Sequence, residues 1–302
     1  MAAKPSRDVT DRERADFARD GAVLIKGVLP DDWTARLAHG LDHVIARQGA
    51  MSHDLGGNLR TDQFPSLMSP DLQAVVDESP LAEVAGRILG CAVRFYMDQL
   101  FYKDRGEVPP TPWHQDTCYY NVEGDQLIRT WVSPDPVPEN ISLEVVKGSH
   151  LWNVTYRSLA GRDPEIDDEA RRIQNEADAE TPMLGPESHR GWSYFQGIRD
   201  VSAPPVPDIE GHRDSYEILR WNYEPGDVLV FHAHVLHGAS GGVVSPDQRR
   251  AHALVWAGDD VKYIHRKGQI IPDPEPLYAL RPRTGQRLSE FPEVFPVSWA
   301  PD

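Results

Sequence analysis

Trp113-His-Gln-Asp116 is the most informative stretch of the sequence. It contains a His-X-Asp pair, and a second histidine, His237, follows about 120 residues later at the end of the run Gly226-Asp-Val-Leu-Val-Phe-His-Ala-His-Val-Leu-His237. Two imidazoles and one carboxylate on one face of an octahedral metal leave the opposite face open, as in non-haem Fe(II) sites. The sequence therefore predicts His114, Asp116 and His237 as iron ligands.

The spacing of these residues predicts strands. Alternate side chains of a β-strand point to the same face, so His114 and Asp116 can face one ion from a single strand. The turn Glu224-Pro-Gly-Asp227 introduces a strand-like run from Val228 to Val235, which would carry His237 toward the same ion. We therefore expect the ligands to lie on two strands inside a barrel or sandwich.

Two arginines follow the second histidine. Arg249 and Arg250 lead into the strand-like run Ala251-His-Ala-Leu-Val-Trp256. A guanidinium group binds a carboxylate through two parallel hydrogen bonds, so an arginine beside the iron would suit a 2-oxo diacid cosubstrate. If the strand already includes both residues, they point to opposite faces and only one of them can take this role.

The order of these motifs resembles that of the phytanoyl-CoA dioxygenase family of Fe(II)- and 2-oxoglutarate-dependent oxygenases. The resemblance extends to Phe17-Ala-Arg-Asp-Gly-Ala-Val-Leu-Ile-Lys-Gly-Val-Leu29, which is similar to the opening helix and first strand of the family. Glu144-Val-Val-Lys-Gly-Ser-His150 resembles its VPGSH stretch, with Lys147 in place of proline. The resemblance implies a mainly β fold with flanking helices and a double-stranded β-helix core, a jelly-roll of the cupin type.

The resemblance also implies roles for individual residues. His114, Asp116 and His237 would bind iron, and Arg249 would bind the distal carboxylate of 2-oxoglutarate. Arg250 is the alternative, because the loop before the arginines can shift by one residue. Four further residues lie at positions that often line the cosubstrate pocket in this family: Gln99, Lys103, Gln115 and Trp131.

The cofactors that the resemblance implies are Fe(II), 2-oxoglutarate and O₂. The expected reaction is oxidation of an unactivated C–H bond of a small molecule, with release of succinate and CO₂. Hydroxylation is the default, and desaturation, cyclisation or epimerisation are other outcomes. Related halogenating enzymes have a small residue in place of the metal-binding carboxylate, so the presence of Asp116 favours oxygenation.

Two hypotheses from other classes stay open. One is a catalytically silent binding protein of the same fold, and the other is an isomerase or hydrolase that uses the same triad with Zn²⁺ and no 2-oxoglutarate. The arginine after His237 argues against the latter, since it would have no carboxylate to bind. His232 and His234 form a His-X-His pair like that of cupins, but no glutamate follows, which favours packing or pocket roles.

Charge and composition limit the partners. The 302-residue chain has 47 acidic residues and 31 lysines and arginines, a formal net charge of −16. This argues against nucleic acid, which needs clustered cations, and no dense basic run is present for the phosphates of a coenzyme A thioester. We expect a small-molecule substrate, for example a natural-product intermediate or a modified amino acid, while the oligomeric state stays open.

Cysteine content and hydropathy predict a cytoplasmic protein. Cys91 and Cys118 cannot form a disulfide framework, and the first residues lack an apolar signal region. No apolar run approaches the length of a membrane-spanning helix. A reducing compartment would also help to keep iron as Fe(II).

The chain is predicted to form one oxygenase domain over residues 1–302. Mostly helical support is expected in 1–90, the β core in 91–150 and 214–260, and an insertion or lid in 151–213. The insertion is as consistent with a solvated segment as with a substrate loop. Within it we predict a helix over 164–178, and three aromatic residues could cover an apolar substrate: Trp152, Trp192 and Tyr194.

Local signals predict the bounds of several elements. Thr10 and Glu13 form a capping-box pattern for a helix over 11–20. Further helices are expected over 30–48 and 81–89, where apolar residues recur at helical spacing. The remaining strand-like runs cover 22–26, 93–102, 127–132 and 142–146.

Overall fold

The computed structural model describes residues 3–48, 52–54, 58–108, 110–157, 203–241, 243–245, 247–264 and 279–301. Its helices are α1 (Asp11–Asp20), α2 (Asp31–Arg47), α3 (Pro70–Glu78) and α4 (Leu81–Leu89). None of the described helices combines the length and apolar character needed to cross a bilayer. The helix predicted over 164–178, together with Trp192 and Tyr194, lies outside the described residues.

The strands account for most of the regular structure. In chain order they are β1 (Ala22–Ile25), β2 (Ser52–Asp54), β3 (Leu59–Gln63), β4 (Val93–Lys103), β5 (Gly106–Val108), β6 (Thr111–His114), β7 (Val122–Glu123), β8 (Leu127–Val132), β9 (Glu144–Val146), β10 (Ile218–Leu219), β11 (Val228–His232), β12 (His237–Ala239), β13 (Val243–Ser245), β14 (Arg249–Ala257), β15 (Lys262–Tyr263) and β16 (Val297–Trp299).

Two antiparallel sheets form the core. The larger has the order β1-β11-β8-β14-β4-β3-β2, with β16 also paired to β4, and the smaller has the order β10-β9-β12-β6. Strands β1 to β3 therefore join the larger sheet, while residues 1–90, which were predicted to be mostly helical, also contain helices α1 to α4. The division of the chain into support, core and insertion stays a prediction.

The two faces of the larger sheet meet different layers, as strand alternation requires. On one face, Ile128, Val230 and Trp256 pack with buried residues of the helices such as Leu37 and Leu81. The opposite face contributes an apolar cluster that packs against the smaller sheet; it includes Trp131, Phe231, Ala253, Val145 and Tyr223. The mainly β core with helices on one side is thus as predicted.

The first helix follows its sequence signals. The Thr10 hydroxyl oxygen accepts a hydrogen bond from the Glu13 N–H at 3.2 Å, and a Glu13 carboxylate oxygen accepts one from the Thr10 N–H at 2.8 Å. The helix ends at Gly21, whose φ of 79° is in the left-handed region that glycine adopts without a Cβ clash. Strand β1 starts at the next residue, which confirms the predicted helix–strand opening.

Helix α3 was not predicted, although its start has a recognisable signal. The Ser69 side chain accepts a hydrogen bond from the N–H of Leu72, and Pro70 occupies the first turn. Serine before proline is a common helix start, because proline lacks the N–H that the first turn would leave unpaired. The apolar stripe of α3 is short, so periodicity alone did not reveal it.

The predicted strand from Val228 to Val235 ends early in the structure. Strand β11 ends at His232, and a turn follows in which the N–H of Val235 donates to the His232 carbonyl at 3.0 Å. His237 then starts β12. The division has a physical cause, since β11 pairs within the larger sheet and β12 within the smaller one, and the chain must change direction between them.

Candidate metal centre

His114 and His237 lie directly opposite each other in the smaller sheet. They are cross-strand partners at the end of β6 and the start of β12, and their ring centroids are 4.2 Å apart. The Nε2 atom of each is 3.8 Å from Oδ1 of Asp116. Their three potential ligand atoms lie within 4.8 Å of one another, and no other group of this kind occurs among the described residues.

Asp116 reaches this place by a tertiary contact. Strand β6 ends at His114, and Asp116 begins a short 3₁₀ turn that ends at Tyr119. The N–H groups of Asp116 and Thr117 donate to the carbonyl of Ala233, at 3.0 and 3.2 Å. The expectation that His114 and Asp116 share a face of one continuous strand is therefore wrong, although the two side chains do converge.

Each histidine is oriented by a backbone carbonyl. Nδ1 of His114 is 2.7 Å from the Pro112 carbonyl oxygen, and Nδ1 of His237 is 3.1 Å from that of Val235. A carbonyl only accepts, so each Nδ1 carries the proton and each Nε2 keeps a lone pair directed at Asp116. Burial lowers the pKa of His114 and lowers that of His237 to about 3, which keeps both rings neutral.

Arg129 keeps the carboxylate ionised. Burial alone would raise the pKa of Asp116, but the positive charge of Arg129, which also donates a hydrogen bond to the carboxylate, outweighs it, so this pKa lies below its usual range. Nη1 of Arg129 is 3.0 Å from Oδ2 of Asp116. We did not predict Arg129, but a signal was present: an arginine inside the apolar run 127–132 needs a buried partner.

A cavity of about 70 Å³ adjoins the two histidines, His114 and His237. It is lined by Phe101, Lys103, Thr111, His114, Arg129, Trp131, Leu143, Phe231, His237, Ala239, Arg249 and Ala251. Strand register explains why the distant members meet: Arg249 lies opposite Lys103 in the β14–β4 pair, and Ala253 of β14 lies opposite Trp131 of β8. His114, with 14% of its side chain exposed against 4% for His237, is the more accessible of the two candidate ligands.

Arg249 and Arg250 point to opposite faces of β14. Arg249 faces the cavity and donates to the Ile141 carbonyl. Arg250 instead forms a two-point ion pair with Asp135, at 2.6 and 3.0 Å, and a further contact with Asp42 at 2.7 Å. Of the two arginines, therefore, only Arg249 is positioned to contact a ligand bound in the cavity.

Lys103 and Arg249 give the cavity excess positive charge. Neither has a carboxylate within ion-pair distance in the part of the chain that the structure describes. Burial, with a smaller contribution from Arg249, lowers the pKa of Lys103 to about 7. Burial also lowers the pKa of Arg249, to about 10, which still leaves it charged at neutral pH.

The structure gives Gln99 and Gln115 other partners. Gln99 accepts a hydrogen bond from Nη2 of Arg129. The Gln115 amide donates to the carbonyls of Val154 and His234, at 3.0 and 2.8 Å, and accepts from the Tyr156 N–H at 2.9 Å. Of the four residues predicted to line a cosubstrate pocket, the cavity brings together Lys103 and Trp131, and a cosubstrate contact by either glutamine stays a prediction.

The other histidines near the motifs have separate partners. His232 Nε2 is 2.7 Å from the Asp125 carbonyl, and His252 Nε2 is 2.7 Å from Oδ2 of Asp98 in a fully buried pair. Neither His232 nor His234 belongs to the three-residue metal group. The alternative His-X-His cluster therefore has no geometric support among the described residues.

Comparison with known proteins places the chain in a family. The family model described as Phytanoyl-CoA dioxygenase (PhyH) matches residues 17–251. The chain belongs to the phytanoyl-CoA dioxygenase family. This phytanoyl-CoA dioxygenase family protein is an Fe(II)- and 2-oxoglutarate-dependent dioxygenase, which confirms the predicted enzyme class and cofactors.

Two curated relatives cover most of this phytanoyl-CoA dioxygenase family protein. The ectoine dioxygenase of Sphingopyxis alaskensis is 24% identical over 264 residues, which are 82% of this chain and 76% of the relative. The multifunctional dioxygenase ausE of Penicillium brasilianum is 26% identical over 267 residues, which are 83% of this chain and 73% of the relative.

Solved structures share its fold. The 2-oxoglutarate-dependent epimerase SnoN from nogalamycin biosynthesis aligns with a TM-score of 0.65 at 18% identity, covering 97% of this chain and 96% of SnoN. EctD from S. alaskensis with 2-oxoglutarate and 5-hydroxyectoine aligns with a TM-score of 0.59 at 19% identity, covering 86% and 85%. These likenesses confirm the jelly-roll core.

The donor set of the centre fits Fe(II). Two neutral imidazole nitrogens and one ionised carboxylate oxygen are the ligands of a facial triad. Both nitrogens are free to bind because the other nitrogen of each ring donates to a carbonyl. The chain therefore offers a pre-oriented site that needs no change of tautomer before a metal binds.

Proposed function

We propose that this dioxygenase hydroxylates an unactivated C–H bond of a small molecule at an iron held by His114, Asp116 and His237. Arg249, assisted by Lys103, would bind the distal carboxylate of 2-oxoglutarate. The observation that carries the proposal is the shared cavity, which brings both histidines and both cations together. Bound iron would supply the oxidising chemistry, with O₂ and 2-oxoglutarate consumed.

The charge of the cavity supports a dianionic cosubstrate. Three cations, Lys103, Arg129 and Arg249, line the cavity, and Asp116 is the one carboxylate paired with any of them among the described residues. A 2-oxo diacid would offset this excess, and a guanidinium fork suits its distal carboxylate. The same excess argues against a Zn²⁺ hydrolase, because Arg249 and Lys103 would then face an uncompensated cavity.

The walls of the cavity would orient the reactants and exclude water. Phe101, Leu143 and Phe231 provide apolar surface, and Trp131 adds an aromatic wall. Excluding water strengthens the electrostatic contacts inside and protects reactive species from side reactions. Because His114 is the more exposed ligand, we infer that the primary substrate approaches from its side.

The substrate class follows from the relatives only in outline. Ectoine dioxygenase is named for a small molecule, and SnoN has been solved with nogalamycin RO. We propose a small molecule for this chain also, and the acidic balance of the sequence favours a neutral or cationic one. Incubating candidate metabolites with ¹⁸O₂ tests this: hydroxylation adds one labelled oxygen to the product, whereas an unlabelled isomer would indicate epimerisation.

The cosubstrate site can be tested by anaerobic titration. Fe(II) and 2-oxoglutarate together should give the weak visible charge-transfer band of the chelate. Replacing Arg249 by alanine removes one partner of a buried charge pair, so the dissociation constant of 2-oxoglutarate should rise roughly a hundredfold. Fluorescence or calorimetric titration can quantify binding where the band is too weak.

Arg250→Ala is the matched control, since it removes a neighbouring arginine of the same strand that pairs with Asp135 on the opposite face. It should leave the dissociation constant within about twofold of that of the unaltered protein. Absence of the charge-transfer band in the unaltered protein would contradict the proposed function. An equal loss of affinity for 2-oxoglutarate in both variants would contradict the assignment of its carboxylate to Arg249.

A further inference from the structure

Arg129 and Asp116 form a buried ion pair beside the metal centre. Each side chain is 5% exposed, and Arg129 lies on β8, a central strand of the larger sheet. Its guanidinium carbon is 5.5 Å from the centre of the Phe101 ring. The desolvation of two buried charges offsets most of their mutual attraction, so stability alone does not account for this pair.

The two oxygens of Asp116 are in different environments. Oδ1 is 3.8 Å from Nε2 of both His114 and His237. Oδ2 accepts a hydrogen bond from Arg129 at 3.0 Å. One oxygen therefore faces the histidines, and the other is engaged before any metal arrives.

Gln99 holds the arginine in turn. Its side-chain oxygen accepts from Nη2 of Arg129, while Nη1 is directed at Asp116. Gln99 lies on β4, two strands away from β8 across β14, so the contact spans the sheet. With two groups bound at separate nitrogens, the guanidinium plane cannot rotate without breaking one of the hydrogen bonds.

We propose that Arg129 is a positioning residue that restricts Asp116 to binding iron through one oxygen. The inference rests on the proposed function. In an octahedral site with two histidines and a one-oxygen carboxylate, three positions stay open: two for the 2-oxo acid chelate and one for O₂. A carboxylate that bound through both oxygens would occupy the position that O₂ requires.

Nitric oxide gives a direct test, because it occupies the same open position and produces a characteristic electron paramagnetic resonance signal with Fe(II). The unaltered protein should form this nitrosyl both with and without 2-oxoglutarate. Arg129→Met releases Oδ2, so with 2-oxoglutarate the signal should fall to roughly a tenth or less. Without 2-oxoglutarate the variant should keep its signal, since two positions are then open.

Two further variants make the test specific. Gln99→Leu keeps Arg129 but removes the hydrogen bond that holds its guanidinium group. We therefore expect a smaller loss of the same signal in the presence of 2-oxoglutarate. Arg94→Met is the control: Arg94 is a buried arginine of β4 that donates to the Phe295 carbonyl, and its loss should leave the nitrosyl unchanged. Circular dichroism and Fe(II) affinity establish that each variant is folded and loaded.

The outcomes separate this inference from the proposed function. A full nitrosyl signal from Arg129→Met with 2-oxoglutarate bound would overturn the positioning role, even if the charge-transfer band is normal. If Arg129→Met does not fold, an unchanged signal in Gln99→Leu would overturn it instead. Loss of the charge-transfer band in the unaltered protein would count against the cosubstrate site itself.

Discussion

Lys103 is an amine that is about half protonated at neutral pH, because burial has lowered its pKa to about 7. A dianion in the cavity would favour the charged form and raise this pKa. Below about pH 7 the free protein is already protonated there, so affinity for 2-oxoglutarate should be constant. Above it, binding requires proton uptake, and the affinity should fall by up to about tenfold per pH unit until the pKa of the bound form is reached.

The pH dependence can be measured through the charge-transfer band between about pH 6 and 9. Burial lowers the pKa values of both candidate histidine ligands, to about 3 for His237, which reduces their contribution to this profile. Lys103→Met should bind 2-oxoglutarate more weakly at neutral pH but with a nearly flat profile. The same slope in this variant as in the unaltered protein would show that another group titrates.

The three residues of the candidate metal centre could be selected from the sequence by type and order, but their geometry could not. His114, Asp116 and His237 stand out by type and order, and the structure brings them together. The carbonyl of Ala233 that holds Asp116 could not be foreseen, because it depends on how a turn between two sheets packs against the chain after β6. Arg129 was missed because its partner is thirteen residues away and lies outside its strand.

At the level of elements, the contact between α2 and α3 is unusually close. A Cβ added at Gly40 of α2 would lie 2.8 Å from side-chain atoms of Leu72, a fully buried residue of α3. Alanine normally stabilises a helix relative to glycine by about 1 kcal/mol, whereas overpacking a core costs about 1–3 kcal/mol. We therefore expect Gly40→Ala to lower the free energy of unfolding by about 1 kcal/mol in urea denaturation.

The matched control for Gly40→Ala is the same substitution in a Leu72→Ala background. There the side-chain clash is removed and the backbone nitrogen of residue 72 stays at 3.1 Å, so the helix preference of alanine should make the change stabilising. A reversal of sign between the two backgrounds isolates the contact. Stabilisation in both backgrounds would mean that α2 and α3 move apart at little cost.

Elements with a strong local signal were predicted well. Helix α1 has a complete capping box, and α4 has a marked apolar stripe that ends at Gly90. The run after Val228 was misjudged because its apolar residues continue past His232, while the break is imposed by pairing with two different sheets. Local sequence patterns indicate which residues are buried, but they do not indicate which sheet a strand joins.

At the scale of the whole molecule, the acidic chain and the cationic cavity have opposite signs. With a net charge of −16, the protein should repel a dianion at long range and attract it only near Lys103 and Arg249. Salt screens the long-range part, over about 10 Å at 0.1 M. The association rate of 2-oxoglutarate should therefore rise roughly two- to fivefold as salt increases from about 0.02 to 0.2 M.

The association of Fe(II) with the same protein is the internal control. A cation is attracted by the acidic chain, so its association rate should fall over the same salt range. Stopped-flow measurements on one preparation can test whether the two association rates change in opposite directions as salt increases. If the association rate of 2-oxoglutarate also fell with salt, attraction by the cations of the cavity would outweigh repulsion by the net charge of the protein.

The smaller sheet also determines where variation is tolerated. Strands β9 and β10 are neighbours, the Lys147 N–H donates to the Glu217 carbonyl at 3.0 Å, and the side chains of these residues form an ion pair at 2.5 Å. The chain thus leaves the sheet and returns to it at one place after about 70 residues. Because the cost of closing a loop grows only slowly with length, this excursion can be lengthened, shortened or exchanged while its two ends stay anchored. A change in the length of the chain between these two residues should therefore leave His114 and His237 paired across the smaller sheet.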